Sequence, residues 1–242
     1  MEQTLKILYQ DDNFIAVDKP AGIIVVDDRW DKGKITLRSM VESLCSGNKV
    51  WIVHRLDKET SGVILFAKNP EAHRYANILF EQRDLDKEYH AVVQGVITKD
   101  ADVIDKPIKE DIYNPGRVII HSQGKPSVTE FAVLERFRGF TYIKALPQTG
   151  RMHQIRIHMT AYGNPLAVDT FYGGAGSVKL SQLKSSYKFK KDRPEKPLIA
   201  RLTLHARRLS FAGMNGQRID ISADMPRDLD LLLKYLRKEC QA

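Results

Sequence analysis

Cysteine is nearly absent: Cys45 and Cys240 are the only two in 242 residues. Two thiols cannot form a disulfide framework, and nothing around them has metal-ligand spacing. Long apolar runs are missing as well. None reaches the ~18 residues of a membrane span. The opening MEQTLKILYQDDN lacks the basic stretch and the apolar core of about 7–15 residues that mark a secretory signal. These absences predict a reduced, cytoplasmic protein without a membrane segment. Nucleotide and hydrolase signatures are also missing. Gly173–Lys179 carries Val178 where the second glycine of a phosphate loop belongs. No G-x-S-x-G elbow surrounds Ser61, and the three-glycine dinucleotide fingerprint does not occur. His153 and His158 fall on opposite faces of a strand, or about 140° apart on a helix, which is poor spacing for shared metal ligation.

What is present describes a globular chain. Apolar residues make up 43% and charged residues 28%, close to ordinary usage, so wholesale disorder is excluded. Lys and Arg number 38 against 30 acids, a formal charge of +8. Residues 174–200 hold seven Lys/Arg and two acids, so this basic insert supplies +5 of that excess. It reads either as a solvated loop or as a flap that contacts phosphates, and charge alone does not choose between them.

Periodicity predicts one α+β domain over 1–242, rich in antiparallel strands and without repeats or a linker. Leu5–Tyr9 and Phe14–Asp18 form a hairpin, Pro20 and Gly22 a tight turn, and Ile23–Val26 further extended chain. Thr36–Leu44 reads as a helix with Leu37, Met40, Val41 and Leu44 on one face. Trp51–Val53 and Val63–Ala67 are strands. Asn69-Pro70 starts a helix that buries Ala72, Tyr75, Ala76 and Leu79 and ends near Gln82–Asp84. Strands follow at Tyr89–Gly95, Val103–Ile104, Arg117–His121, Thr129–Glu135, Tyr142–Leu146 and Gln154–Ile157. After a strand pair near Leu202–Phe211 and Arg218–Ile221, a terminal helix behind Pro226 buries Leu229, Leu232, Leu233 and Leu236.

Three polar clusters interrupt the apolar pattern. His54–Gly62 (HRLDKETSG) is wedged between two strands; a carboxylate there, beside Arg55, suits a nucleophile or charge stabiliser, and spacing alone favours a capped, salt-bridged turn. Lys87–Ala91 (KEYHA) places Tyr89 on a strand, where a half-buried tyrosine is commonplace. Thr149–His158 (TGRMHQIRIH) combines two Arg, two His and a Gln, a composition suited to an anion or a nucleic-acid groove.

HRLDKETSG closely resembles the HRLD-x-x-T-S-G signature of the RluA-type RNA pseudouridine synthases. NFIAVDKPAGIIV at 13–25 resembles the family's opening hairpin and its V-x-K-P-x-G turn. KEYHAVVQG at 87–95, GKPSVTEF at 124–131, TGRMHQIRIH at 149–158 and Leu204-His205-Ala206 match further family motifs in family order. GNPLAVD at 163–169 departs from the family's GHPIxGD at Asn164 and Val168. The resemblance spans roughly residues 5–211. It implies the pseudouridine synthase catalytic fold, a mixed, mostly antiparallel sheet with flanking helices and a cleft across it, with no N-terminal S4-type domain before the core.

The implied reaction is cofactor-free: a uridine in tRNA or rRNA loses its N1–C1′ bond, the uracil turns, and C5 rejoins C1′. Asp57 corresponds to the essential carboxylate, acting at the ribose or assisting deprotonation. Tyr89 corresponds to the tyrosine against the base, and Arg156 to the arginine paired with that carboxylate. Arg55 resembles the residue that holds the target open. His54, Thr60, Arg151, His153 and Gln154 would organise the site or contact RNA. Lys188, Lys190 and Lys191 of the insert are expected to touch phosphates, and the chain to act as a monomer. An RNA-binding or RNA-folding protein with secondary activity is the alternative; a metal-dependent nuclease would need an acidic ligand cluster that the sequence lacks.

Overall fold

The computed structural model describes residues 5–26, 35–188 and 194–241. In chain order the strands are β1 (Lys6–Gln10), β2 (Phe14–Lys19), β3 (Trp51–Ile52), β4 (Ser61–Ala67), β5 (Leu85–Gln94) and β6 (Ala101–Asp105). Then come β7 (Ile108–Glu110), β8 (Val118–Ile120), β9 (Val128–Phe137), β10 (Phe140–Pro147), β11 (Leu204–Ala212) and β12 (Arg218–Ser222). The helices are α1 (Leu37–Leu44), α2 (Pro70–Gln82), α3 (Gln154–Tyr162), α4 (Leu180–Leu183) and α5 (Arg227–Glu239). The chain divides into two compact units, Met1–Glu88 with His205–Asp224, and Tyr89–Leu204 with Met225–Ala242.

The first unit is built around β4, whose seven residues are all buried. β2 and β3 pair with it antiparallel, and β11 pairs parallel through His205 opposite Ser61. β1 extends β2 and β12 extends β11, both antiparallel. Phe14, Val63, Leu65, Leu209 and Phe211 fill the core against Ala72, Ala76 and Leu79 of α2. Asn69 caps α2 by accepting from Ala72 N–H, with Pro70 at the first helical position, as the local sequence predicts. Thr36 caps α1 in the same way from Ser39 N–H. The apolar face of α1 is shorter than its spacing predicts, since Leu37 and Val41 are buried but Leu44 is exposed. Ile23–Val26 forms no strand. Ile24 and Val25 instead lend their carbonyls to the first N–H groups of α1, at Leu37 and Arg38, and so satisfy donors that every helix start leaves orphaned.

The second unit contains an antiparallel run in the order β5, β10, β9, β6, and the separate hairpin β7–β8. α5 buries Leu229, Leu232, Leu233 and Leu236 against Val92, Phe137 and Tyr142. Asp228 and Asp230 sit in its first turn and Arg237 and Lys238 in its last, matching the helix dipole. The basic insert is tied down at both ends. Val178 and Ile199 bridge antiparallel, and with Leu183 of α4 they join the cluster around α5.

The strand expected at Gln154–Ile157 is a helix, α3. Alternation of polar and apolar residues reports a strand only when the polar ones are exposed. Here all of Gln154–Met159 are buried, and the polar members are satisfied internally.

Candidate active site

In the first unit, β3 leads into the turn His54–Thr60 that precedes β4. Thr60 N–H closes it on the Asp57 carbonyl at 3.1 Å, and Gly22 N–H donates to the Lys58 carbonyl at 2.8 Å. Beneath the turn lies Lys19, fully buried. Its Nζ donates to the carbonyls of Lys58 (2.8 Å), Thr60 (2.8 Å) and Pro20 (3.0 Å). A buried ammonium demands such acceptors, and here the demand shapes the backbone on the C-terminal side of Asp57. Arg55 is exposed, Asp57 half-buried and Leu56 buried. Thr60 is buried, and its Oγ1 has no partner among the described residues.

His54 is held in the neutral form. Its Nε2 accepts from Leu65 N–H at 3.0 Å, and its ring stacks on Phe80 at 5.0 Å. Burial, with the Lys87 charge nearby, pushes its pKa down to about 3. Burial and Arg83 likewise bring Lys87 down to about 8.

Beyond the turn, Ser61 Oγ lies 2.9 Å from His205 Nδ1, a buried contact between β4 and β11. Next to it Gly62 has φ +110°, and a Cβ there would sit 2.1 Å from the Ala206 carbonyl oxygen. No side chain fits so close an approach. The TSG and LHA motifs are two sides of this one contact.

In the second unit, Tyr89 stands half-buried on β5 opposite Ala145 and packs on the cluster that includes Ile155 and Met159 of α3. The start of α3 is set by a buried polar network. Gln154 Oε1 accepts from Thr149 Oγ1 (2.6 Å) and Arg151 N–H (3.0 Å), and its Nε2 donates to Val128 O and Thr129 Oγ1 (2.9 Å each). His158 continues the network to Thr129 Oγ1 and the Lys106 carbonyl, and burial lowers its pKa. His153 takes a left-handed φ of +52° just ahead of the helix, with Nδ1 2.8 Å from the Tyr172 hydroxyl. Arg151 keeps a buried Nε without a partner among the described residues.

Arg156 is almost fully buried. Its Nε donates to Asp169 Oδ2 at 2.7 Å and its Nη2 to Asp169 Oδ1 at 2.9 Å. The guanidinium lies over the rings of Phe171 (5.2 Å) and Tyr172 (5.1 Å). Sequence reasoning did not find Asp169, Phe171 or Tyr172. Asp169 ends the GNPLAVD segment, which was its only signal, and Phe171 has none.

The expected residues therefore gather in two groups, His54, Arg55, Asp57 and Thr60 on one turn, and Arg151, His153, Gln154 and Arg156 around the start of α3. Lys188 is exposed at the end of the described part of the insert; Lys190 and Lys191 lie outside the described residues. Among the described residues no three His, Cys, Asp or Glu side chains are grouped as metal ligands would be. No described helix is long and apolar enough to cross a membrane.

Comparison with known proteins places these groups in context. The sequence profile of a family described as RNA pseudouridylate synthase matches residues 13–161. An uncharacterized RNA pseudouridine synthase of Zymomonas mobilis is 35% identical over 228 residues, covering 92% of this chain and 94% of that protein. The ribosomal large subunit pseudouridine synthase D of Pseudomonas aeruginosa is 33% identical, covering 98% of this chain and 73% of its own length. Among solved structures, human RNA pseudouridylate synthase domain containing 1 aligns with TM-score 0.72 at 27% identity, over 97% of this chain and 95% of that one.

Proposed function

From the premise that this chain belongs to the RluA-type family of RNA pseudouridine synthases and isomerises uridine in RNA, we propose how its residues divide that work. Asp57 acts at the ribose, either at C1′ or by assisting deprotonation, while the N1–C1′ bond breaks. Tyr89 holds the freed uracil as it turns. Arg156 is the arginine that, by the family resemblance, acts with the Asp57 carboxylate. When C5 joins C1′, the C5 hydrogen leaves as a proton and N1 takes one up, so no atom is gained or lost. We regard 1–242 as one catalytic domain, acting as a monomer in the cytoplasm.

The observation that carries this reading is the restraint on Arg156: a buried guanidinium, bidentately paired and ring-stacked, is built for orientation. Freeing a uridine from its stack costs a few kcal/mol, least in loops, which favours a loop or single-stranded target. An aromatic face such as Tyr89 returns about 1–3 kcal/mol by stacking. Arg55, Thr60, Arg151 and His153 are proposed RNA contacts. His54 and Gln154, already engaged with protein groups, would serve by holding the turn and the helix start.

We place the target uridine in tRNA or rRNA. The relative named for the ribosomal large subunit favours rRNA. The test is RNA from cells lacking the protein, with pseudouridines mapped by carbodiimide modification and primer extension. One or a few sites should return with wild type and stay absent with Asp57→Asn, while Asp57→Asn retains RNA affinity. Turnover by Asp57→Asn would overturn the assignment of roles.

A further inference from the structure

Arg156 is held by more than its helix. Asp169 takes two of the five Arg156 N–H donors through the planar fork, which fixes the in-plane direction of the guanidinium and, within that plane, of the other three. Asp169 is itself fixed. It is buried, and Oδ1 also accepts from Phe171 N–H at 3.0 Å. That bond brings the Phe171 side chain back over the guanidinium, whose carbon lies 5.2 Å from the ring centre. Tyr172 adds a second ring at 5.1 Å, and its hydroxyl accepts from Val118 N–H at 2.9 Å.

Phe171 is the unexpected member. It is 45% exposed, an uneconomical place for a phenylalanine whose only task is packing. Its ring carries two guanidinium groups, Arg156 and, at 4.9 Å, Arg117 just before β8. The electron-rich face of an aromatic ring attracts cations, and arginine in particular stacks flat on it. The ring therefore restrains the tilt that the in-plane pair with Asp169 leaves free.

We propose that Asp169 and Phe171 are positioning residues for the isomerisation, acting through Arg156: Asp169 sets the in-plane direction of its guanidinium and Phe171 sets the tilt. The proposal rests on the reading that Arg156 acts with Asp57. Neither residue needs to touch RNA, so their loss should reduce the rate of the chemical step and leave RNA binding intact.

The experiment uses the full chain and bulk RNA labelled with [5-³H]uridine, isolated from cells lacking the protein. Each isomerisation releases the C5 tritium to water, so single-turnover release at saturating enzyme reports the chemical step, and filter binding reports affinity. Phe171→Leu keeps apolar bulk without the ring and should slow release about threefold to fivefold at unchanged affinity, with Phe171→Trp restoring it. Asp169→Asn should slow it roughly 100-fold, approaching Arg156→Lys, because small misplacement of a catalytic group is costly. Thermal unfolding of every variant separates positioning from folding. If Asp169→Asn does not fold, Asp169→Glu, which keeps the charge and moves it, should show the same loss of rate at unchanged affinity. Wild-type rates in Phe171→Leu and in a folded Asp169 variant, with Asp57→Asn inactive, would overturn the inference alone. Tritium release by Asp57→Asn at the wild-type rate would overturn the underlying reading with it.

Discussion

The turn that carries Asp57 and the helix start that carries Arg156 are fixed by opposite means. In the turn the restraint is a side chain acting on backbone. Lys19 gathers three carbonyls, and β4 and β11 meet so closely at Gly62 that a methyl group is excluded. At α3 the restraint is side chain on side chain: Gln154 with Thr149 and Thr129, His158 with Thr129, Arg156 with Asp169 under two rings. The difference follows from what each must present. A carboxylate on a turn is aimed by fixing the backbone next to it. A long guanidinium is aimed only by gripping its far end, because its rotamer freedom would otherwise be lost anew in each turnover.

The contrast can be broken in graded steps. The largest effect on stability is expected for Lys19→Met, which keeps the length of the stem and removes the buried ammonium that three carbonyls, one of them buried, accept from. Urea unfolding should show a loss of about 3 kcal/mol. Gln154→Leu removes one side chain from a network in which Thr149, Thr129, Val128 and His158 keep other partners. It should cost less, about 2 kcal/mol. Equal or reversed losses would mean that the turn is not the more dependent of the two.

The acid side of the stability curve sharpens the comparison further. The folded pKa of His54 lies far below its unfolded value, at about 3. Its contribution is therefore complete above the unfolded pKa and disappears as pH falls toward the folded one. Between about pH 6.5 and 4 it should weaken the fold by up to about 1.4 kcal/mol per pH unit. His158, also lowered by burial, works in the same direction. His54→Gln retains an acceptor that does not titrate, so guanidine unfolding across this range should show a shallower pH slope. An unchanged slope would assign the acid sensitivity to the α3 network.

The smallest effect on folding is expected in the basic insert. Its ends are anchored at Val178, Leu183 and Ile199, and Lys188 is exposed. Neutralising Lys188, Lys190, Lys191 and Arg193 should leave the unfolding midpoint unchanged. If all four meet single-stranded RNA, the slope of log K against log salt should become shallower by about 3. An unchanged slope would make the insert a solvated loop.

Much of the local structure was legible in the sequence. Asn69-Pro70 opens a helix, Thr36–Leu44 lies within one residue of another, and the leucines of α5 are buried as their spacing predicts. Legibility failed where polar residues are buried. The alternation in Gln154–Ile157 looks like a strand because Gln154, Arg156 and His158 resemble a solvent face, yet each is satisfied by protein groups. It failed again at Ile23–Val26, whose extended pattern serves a helix start and not a ladder.

The sequence by itself determined the family and the reaction and singled out Asp57, Tyr89 and Arg156 as the residues proposed to carry it, because those statements depend on short runs of residues read in order. Only the tertiary structure decided what holds some of them. Ser61 meets His205 across 144 positions, Lys19 reaches carbonyls up to 41 positions away, and Asp169 returns to Arg156 across 13. Such partners are chosen by where the backbone brings a buried charge, which must find an acceptor or donor wherever the fold supplies one. No local pattern records that choice.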